Sequence, residues 1–129
     1  MSVRKTVVAF ALLLTAAVPA WPQATIFNYP GARHTRPQAI SATGAITGVW
    51  IGQDGRSHGF LFDRGEFTSI DFPGAFFTSA QGINSAGDIV GLYELPGDVD
   101  FRGYLYSQGH FYPIEIPGAI NVRPFGINP

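Results

Sequence analysis

The sequence contains no cysteine, and Lys5 is its only lysine. The absence of cysteine excludes disulfide bonds and zinc sites with thiolate ligands, so that packing alone must stabilise the fold. Beyond the N-terminal segment, six arginines stand against nine acidic side chains, which gives a net charge of −3. This balance excludes the basic surface that binding to nucleic acid or to an anionic membrane requires.

Helical periodicity and catalytic motifs are also missing. Glycine and proline interrupt every window of about 11 residues in which apolar positions could follow a helical spacing. There is no nucleophile elbow or phosphate-binding loop, and His34, His58 and His110 do not fall at metal-ligand spacing. Asp98 and Asp100 lack the rest of a calcium-binding loop, which favours a solvated turn. The sequence therefore predicts no catalytic residue, no metal and no cofactor.

The first residues have the order of a secretory signal peptide. A basic pair at positions 4 and 5 precedes an apolar run of 13 residues, 6–18, and small residues follow. This run is too short for a spanning helix, which needs roughly 20 apolar residues. We expect a signal peptide at 1–24, cleaved after residue 20 or 24, with an uncleaved membrane anchor as the alternative. The mature domain, 25–129, is then secreted or periplasmic.

Two blocks of sequence recur in phase along the mature chain. The triplet Pro-Gly-Ala begins at positions 30, 73 and 117, at spacings of 43 and 44 residues. The second block, 58–67, matches 102–111 with glycine on glycine and aromatic on aromatic. Self-similarity at about 40 to 45 residues is typical of propeller blades or helical solenoids. We divide the chain into a first repeat of about 30–72, a second of about 73–116 and a partial third of 117–129.

Short runs rich in Ile, Val, Phe and Tyr, each ended by a turn cluster, predict β-strands. The predicted strands are 37–40, 45–51, 57–63 and 66–72 in the first repeat, and 79–83, 88–94, 102–107 and 110–116 in the second. Residues 26–29 predict an isolated fourth strand, and 124–127 an isolated first strand. Arg64-Gly65 and Gln108-Gly109 suit two-residue hairpin turns, because glycine readily takes a positive φ.

These elements predict an all-β fold of tandem four-stranded antiparallel blades, as in a β-propeller. Gly48 and Gly91 lie in the middle of strands, where glycine often marks a close approach of two backbones. Propellers typically close with about 4 to 8 blades, so two complete units and a truncated third leave the ring unclosed. We expect that the chain belongs to a longer propeller or associates with other copies. A β-sandwich is the alternative fold.

The repeated motifs resemble the HAF-type extracellular repeat of bacterial secreted proteins. The matching segments are Ile70–Ala75, Gly82–Tyr93 and His58–Phe62, and the likeness extends from Ile26 to Pro129. Arg102-Gly103-Tyr104-Leu105 replaces the family's His-Gly-Phe-Leu in the second repeat, and Ala39-Ile40-Ser41 replaces Gly-Ile-Asn in the first. The resemblance implies a secreted, propeller-like repeat protein, and it implies no reaction.

The connections between repeats are the best candidates for a binding site. Segments 31–36, 74–79 and 118–123 differ from one another, whereas the turns at the opposite end are short and alike. Variable loops on a rigid scaffold usually carry binding sites. We expect six side chains in these connections to lie closest to a ligand: Arg33, His34, Arg36, Phe76, Phe77 and Arg123.

The sequence favours a binding or surface-interaction module for a glycan or protein over an enzyme. Its expected partners are further blades of a longer chain or other copies of itself, with no nucleic acid and no membrane after cleavage. The alternative is part of a secreted hydrolase acting on polysaccharide, because paired carboxylates cleave glycosidic bonds. Asp71, Glu94 and Glu115 are available, although Asp71 and Glu115 occupy the same repeat position, which favours a structural role.

Overall fold

A computed structural model describes residues 27–129, so the predicted signal peptide lies outside the described residues. The described chain forms eight strands and no helix, and therefore no helix able to cross a membrane. The strands are β1 (His34–Ile40), β2 (Ile46–Ile51), β3 (Ser57–Asp63), β4 (Glu66–Ile70), β5 (Phe77–Ile83), β6 (Ile89–Glu94), β7 (Arg102–Ser107) and β8 (His110–Ile114). The prediction of an all-β fold is confirmed.

The strands pair mainly with their neighbours in sequence. β1 to β4 pair antiparallel in chain order, and β5 to β8 repeat that arrangement. One parallel pair, Ser57 with Phe77, links β3 to β5, so that all eight strands form one open sheet. The pairing of β3 with β4 is matched by that of β7 with β8, as expected from the sequence repeat.

The turns follow from local chemistry. Arg64 and Gly65 have φ values of 50° and 81°, and Gln108 and Gly109 have 49° and 82°. Two successive positive φ angles are typical of the type I′ turn, whose twist matches that of a hairpin. Each Pro-Gly-Ala forms a turn of another kind, in which glycine has positive φ and the alanine N–H donates to the residue before proline. That geometry is a type II turn, so the repeated sequence specifies repeated corners.

Gly48 and Gly91 allow two strands to approach closely, as predicted. A Cβ at Gly48 would overlap the carbonyl oxygen of Arg36 and lie 2.8 Å from the Phe60 ring. A Cβ at Gly91 would likewise overlap the carbonyl oxygen of Ser79. β1 and β5 each carry a bulge opposite the glycine, where the register shifts by one residue. The crowding therefore arises within each repeat, between its first strand and an aromatic ring of its third.

The core lies where the two repeats meet. Tyr104 and Ile89 are fully buried, Ile70 is 2 % exposed, and all three belong to one apolar cluster. Phe72, just after β4, leaves the first repeat and packs into this cluster. The Tyr104 hydroxyl donates to the Ser79 carbonyl oxygen at 3.1 Å, which satisfies a polar group in an otherwise apolar interior.

Several predicted boundaries were wrong. β1 and β5 begin three and two residues earlier than expected, so His34 and Phe77 lie in strands rather than in loops. β4 and β8 end at Ile70 and Ile114, two residues early, because the chain turns away into the next corner. Residues 124–127 form no strand, and neither do 27–29, the described part of the other predicted isolated strand. Both segments lie beside the sheet without a ladder of backbone hydrogen bonds.

Candidate ligand-binding site

The predicted site residues lie at one end of the sheet, which we call the loop end. This end carries the β2–β3 turn (52–56), the β6–β7 turn (95–101) and the connections 71–76 and 115–121. The six predicted residues fall in or beside the connections that reach it. Two of the six have side chains that contact the same ring. The ring of Phe77 lies 5.0 Å from that of Phe101, and the Arg123 guanidinium lies 4.9 Å from the centroid of the same ring.

Arg33, His34 and Arg36 do not join this group. Arg33 and His34 begin the first repeat, where the Arg33 N–H donates to the Ile51 carbonyl at 2.8 Å and His34 pairs with Ile51. Arg36 lies opposite Val49 within β1, and all three side chains are exposed. Phe76 repeats the Arg33 contact, since its N–H donates to the Glu94 carbonyl at 3.0 Å. The structure therefore separates the predicted site into two parts.

The loop end contains a cleft of about 830 Å³ in the second repeat. It lies between the β6–β7 turn and the connection that follows β8. Its lining combines charged, aromatic and aliphatic groups: Tyr93, Asp98, Val99, Asp100, Phe101, Arg102, Ile114, Glu115, Ile116, Pro117, Ala119, Ile120 and Val122. A mainly apolar concavity with a few fixed polar groups is the usual form of a ligand site.

An ion pair fixes the polar wall of the cleft. The Arg102 guanidinium donates to both carboxylate oxygens of Asp98 at 2.9 Å, and Asp98 also accepts from the Leu95 N–H at 2.9 Å. These hydrogen bonds, the one from Arg102 above all, lower the pKa of the Asp98 carboxyl. The carboxylate is therefore held in one orientation, and Arg102 presents a planar cation at the edge of the cleft.

Polar and aromatic contacts hold the opposite wall in place. Asn121 donates to Asp100 at 3.2 Å and accepts from the Arg123 Nε–H at 3.0 Å. Arg123 then covers the face of Phe101. The connection is thus tied to the β6–β7 turn, while Ile116 and Ile120 remain 56 % and 86 % exposed. The wall offers fixed hydrogen-bonding groups beside apolar surface.

The equivalent place in the first repeat holds a different group of side chains. Tyr29, Trp50 and His58 stack in sequence, with ring centroids 4.2 Å apart in both steps. Asp71 lies 2.7 Å from the His58 Nδ1 and accepts from the Ser69 hydroxyl at 2.7 Å. In the second repeat the counterpart of His58 is Arg102, which pairs with Asp98 in the wall of the cleft.

This group contains a serine, a histidine and a carboxylate, but not in the order of a catalytic triad. The Ser69 hydroxyl donates to Asp71 and accepts from the Trp50 indole N–H at 3.3 Å, so no imidazole is placed to activate it. We expected a structural role for Asp71, and its bonds to two neighbouring strands are consistent with one. Sequence reasoning did not place Trp50 in this group, although Trp50 lies opposite His58 in the hairpin register.

No cluster of three or more potential metal-ligating side chains occurs within residues 27–129. Asp98 and Asp100, the pair considered for calcium, are held by Arg102 and by Asn121. Their oxygens therefore already accept hydrogen bonds from the protein, which lowers their capacity to coordinate a cation.

Three kinds of comparison were made with known proteins. No family model, no curated protein and no solved structure matches this chain.

Proposed function

We propose that the protein is a secreted binding module of the HAF-type repeat class. In this proposal β1–β4 and β5–β8 are two blades of a propeller-like array, and the repeated corners keep the loop end rigid. The same register in both sets of strands and the equivalent bulges support it. The blades serve as a scaffold, and the segments that differ between repeats carry the recognition.

The cleft in the second repeat is the observation that carries this proposal. It is built from the β6–β7 turn, where the second repeat carries one inserted residue, and from the connection after β8. Its wall holds Arg102 and Asp98 in one fixed geometry beside exposed Ile116 and Ile120. Polar groups held in place beforehand bind a ligand with less loss of entropy than mobile ones.

The lining favours a glycan or an extended polar peptide as ligand. Both have apolar faces that can lie on Ile116 and Ile120, and hydroxyl or amide groups that can bond to carboxylates and to Arg102. A strongly basic or acidic polymer fits less well, because charges of both signs occur in the wall. Further blades, of a longer chain or of another copy, are the proposed protein partners.

A binding screen tests the proposal. The chain is applied to a glycan array and to an extended peptide library, and a ligand from the screen is titrated by calorimetry. Phe101→Ala and Glu115→Gln should weaken binding at least about fivefold, since loss of an anchoring contact typically costs about 1 kcal/mol or more. Ser85→Ala, in an exposed turn at the opposite end, is the control. Equal losses in all three variants would contradict the assignment of the cleft.

A secreted hydrolase is the second candidate, because Glu115 is a carboxylate in the wall of the cleft. Glycoside cleavage requires a second acid near the first. A panel of soluble polysaccharides, assayed for reducing ends, separates the two functions. Turnover that Glu115→Gln abolishes would establish the hydrolase, whereas binding without turnover supports the module.

A further inference from the structure

The segment 121–128 occupies, on the second repeat, the place that β5 occupies on the first. A Cβ at Gly59 would meet the Ala80 nitrogen at 3.3 Å, and a Cβ at Gly103 would meet Pro124 at 2.8 Å. Gly103 lies 44 positions after Gly59, and Pro124 lies 44 positions after Ala80. The Val122 N–H also donates to the Phe101 carbonyl oxygen. Phe101 is the counterpart of Ser57, with which β5 makes its parallel contact. The segment is therefore placed as the first strand of a further repeat.

This segment has no strand partner within the described residues. β5 pairs with β6 over six register positions, whereas the backbone of 121–128 makes two hydrogen bonds to the rest of the chain. The Val122 N–H donates to Phe101, and the Asn84 amide donates to the Asn128 carbonyl at 3.1 Å. Phe125 is 67 % exposed. An extended segment with an unpaired edge beside exposed apolar side chains can accept another strand.

The sequence of the segment indicates which strand it fits. Pro117-Gly118-Ala119 is followed by Pro124 at the same spacing as Pro30-Gly31-Ala32 is followed by Pro37. Pro37 lies in β1 opposite Gly48 of β2, at the bulge. A strand with proline at this position therefore already pairs with β2. The segment 121–127 aligns with β1 without a gap and is identical to it at three of seven positions, those of Arg123, Pro124 and Ile127.

We propose that 121–127 of one copy replaces β1 of a second copy. In the register of β1, Asn121 lies opposite Ile51 of the second copy, Pro124 opposite Gly48 and Ile127 opposite Ile46. Ile116 then takes the place of Tyr29 against Trp50, so strand exchange and a ligand in the cleft compete for this side chain. The displaced segment, 27–40, includes β1, an edge strand in which five of seven residues are exposed. It also carries Phe27 and Tyr29, and the incoming copy must replace their ring contacts with Phe60, Phe62, Phe67 and Trp50.

The exchange also covers the outer face of the second repeat. Gly103 pairs with Ile114, and Leu105 with Tyr112, so these residues share one face. The equivalent residues of the first repeat, Leu61 and Ile70, pack against the aromatic side chains of the second. In the assembly the face of one copy meets Phe60, Phe62 and Phe67 of the next. The contact joins unlike surfaces, so copies associate head to tail.

Engineered cysteines test this register, because the chain has none of its own. The double variant Asn121→Cys with Ile51→Cys should form disulfides between chains on mild oxidation, giving dimers and longer products on a non-reducing gel. A second double variant, Asn121→Cys with Thr47→Cys, is shifted by four positions in the register and should form at least about tenfold fewer, since disulfides need close Cα atoms.

A locked variant supplies the control. His34→Cys with Ile51→Cys should close a disulfide within one chain, hold β1 on β2 and keep the chain monomeric by light scattering until it is reduced. This inference rests on the proposed blades but not on the proposed ligand. If the lock fails to close, the strand register itself is wrong. If the lock closes but the Asn121 and Ile51 pair forms no more disulfides between chains than the shifted pair, strand exchange is excluded. The proposed ligand site is not contradicted by that result. Cross-linking through Tyr112→Cys alone would instead indicate a symmetric dimer.

Discussion

The rings of Phe72 and Tyr93 lie 3.6 Å apart and within 8° of parallel, although Phe72 follows the last strand of the first repeat. Tyr93 belongs to β6, so this stack joins the two repeats. Tyr29 and Trp50 form the same stack 43 positions earlier, with centroids 4.2 Å apart. Each repeat thus receives an aromatic ring from the segment that precedes it, and the corner at Pro-Gly-Ala sets the direction from which the ring enters.

Phe72→Ala should therefore lower the free energy of unfolding by up to about 3 kcal/mol, the lower end of the range for a fully buried phenylalanine, because Phe72 is half-buried. The ring contacts Tyr93, Tyr104 and Phe111, and its loss leaves a cavity between the repeats. Urea unfolding followed by tryptophan fluorescence measures the change. Tyr112→Ala, at a position 52 % exposed, is the control, and an equal loss in both variants would contradict this packing.

Gly91→Ala should destabilise the chain by about 1–3 kcal/mol, in the range for overpacked sites. The new methyl group would overlap the Ser79 carbonyl oxygen and lie 2.6 Å from the Tyr104 ring, and the backbone oxygen cannot move without disrupting β5. Gly126→Ala is the matched control, because no atom lies within 4 Å of its Cβ position. Thermal unfolding of the two variants gives the comparison, and similar midpoints would rule out the close approach.

Asp98 should make stability depend on acid pH. Its pKa is lowered below the ordinary value of 3.8 by hydrogen bonds from Arg102 and from the Leu95 N–H. A carboxyl with a lowered pKa stabilises the fold above its unfolded pKa, and this contribution disappears as the pH falls through the folded value. The difference in unfolding midpoint between the natural chain and Asp98→Asn should be largest above about pH 5 and shrink below pH 4. A difference that stays constant from pH 3 to 7 would exclude this ion pair as its source.

Tyr104 should limit stability at alkaline pH. Burial raises the pKa of its phenol above the ordinary value of 10.0, so the folded state retains a proton that the unfolded chain releases. A group with a raised pKa contributes stability below its unfolded value and loses it as the pH rises further. Tyr104→Phe should cost about 1 kcal/mol at pH 7 through the lost bond to Ser79. Above pH 10 the stability of the variant should then decline less than that of the natural chain. If the stabilities of Tyr104→Phe and the natural chain declined in parallel, the burial of this hydroxyl would be contradicted. Tyr112→Phe is the control.

The sequence alone determined the strand content and the turns. Arg64-Gly65, Gln108-Gly109 and the Pro-Gly-Ala corners are local features, in which a few backbone angles are set by glycine and proline themselves. Gly48 and Gly91 also predicted a close approach, because a glycine inside a strand often marks one. The equivalence of the repeats then allowed one set of strand boundaries to support the other.

Only the tertiary structure decided which surfaces are filled and which are open. Trp50 and Tyr93 are repeat-equivalent, and each stacks on a ring from the preceding segment, yet His58 also stacks on Trp50, whereas Tyr93 lines a cleft. Likewise, 121–128 has the sequence of a first strand but forms none. A strand requires a partner at hydrogen-bonding distance, and burial depends on what packs from outside the repeat. Both are properties of distant segments brought together, which neither periodicity nor composition records.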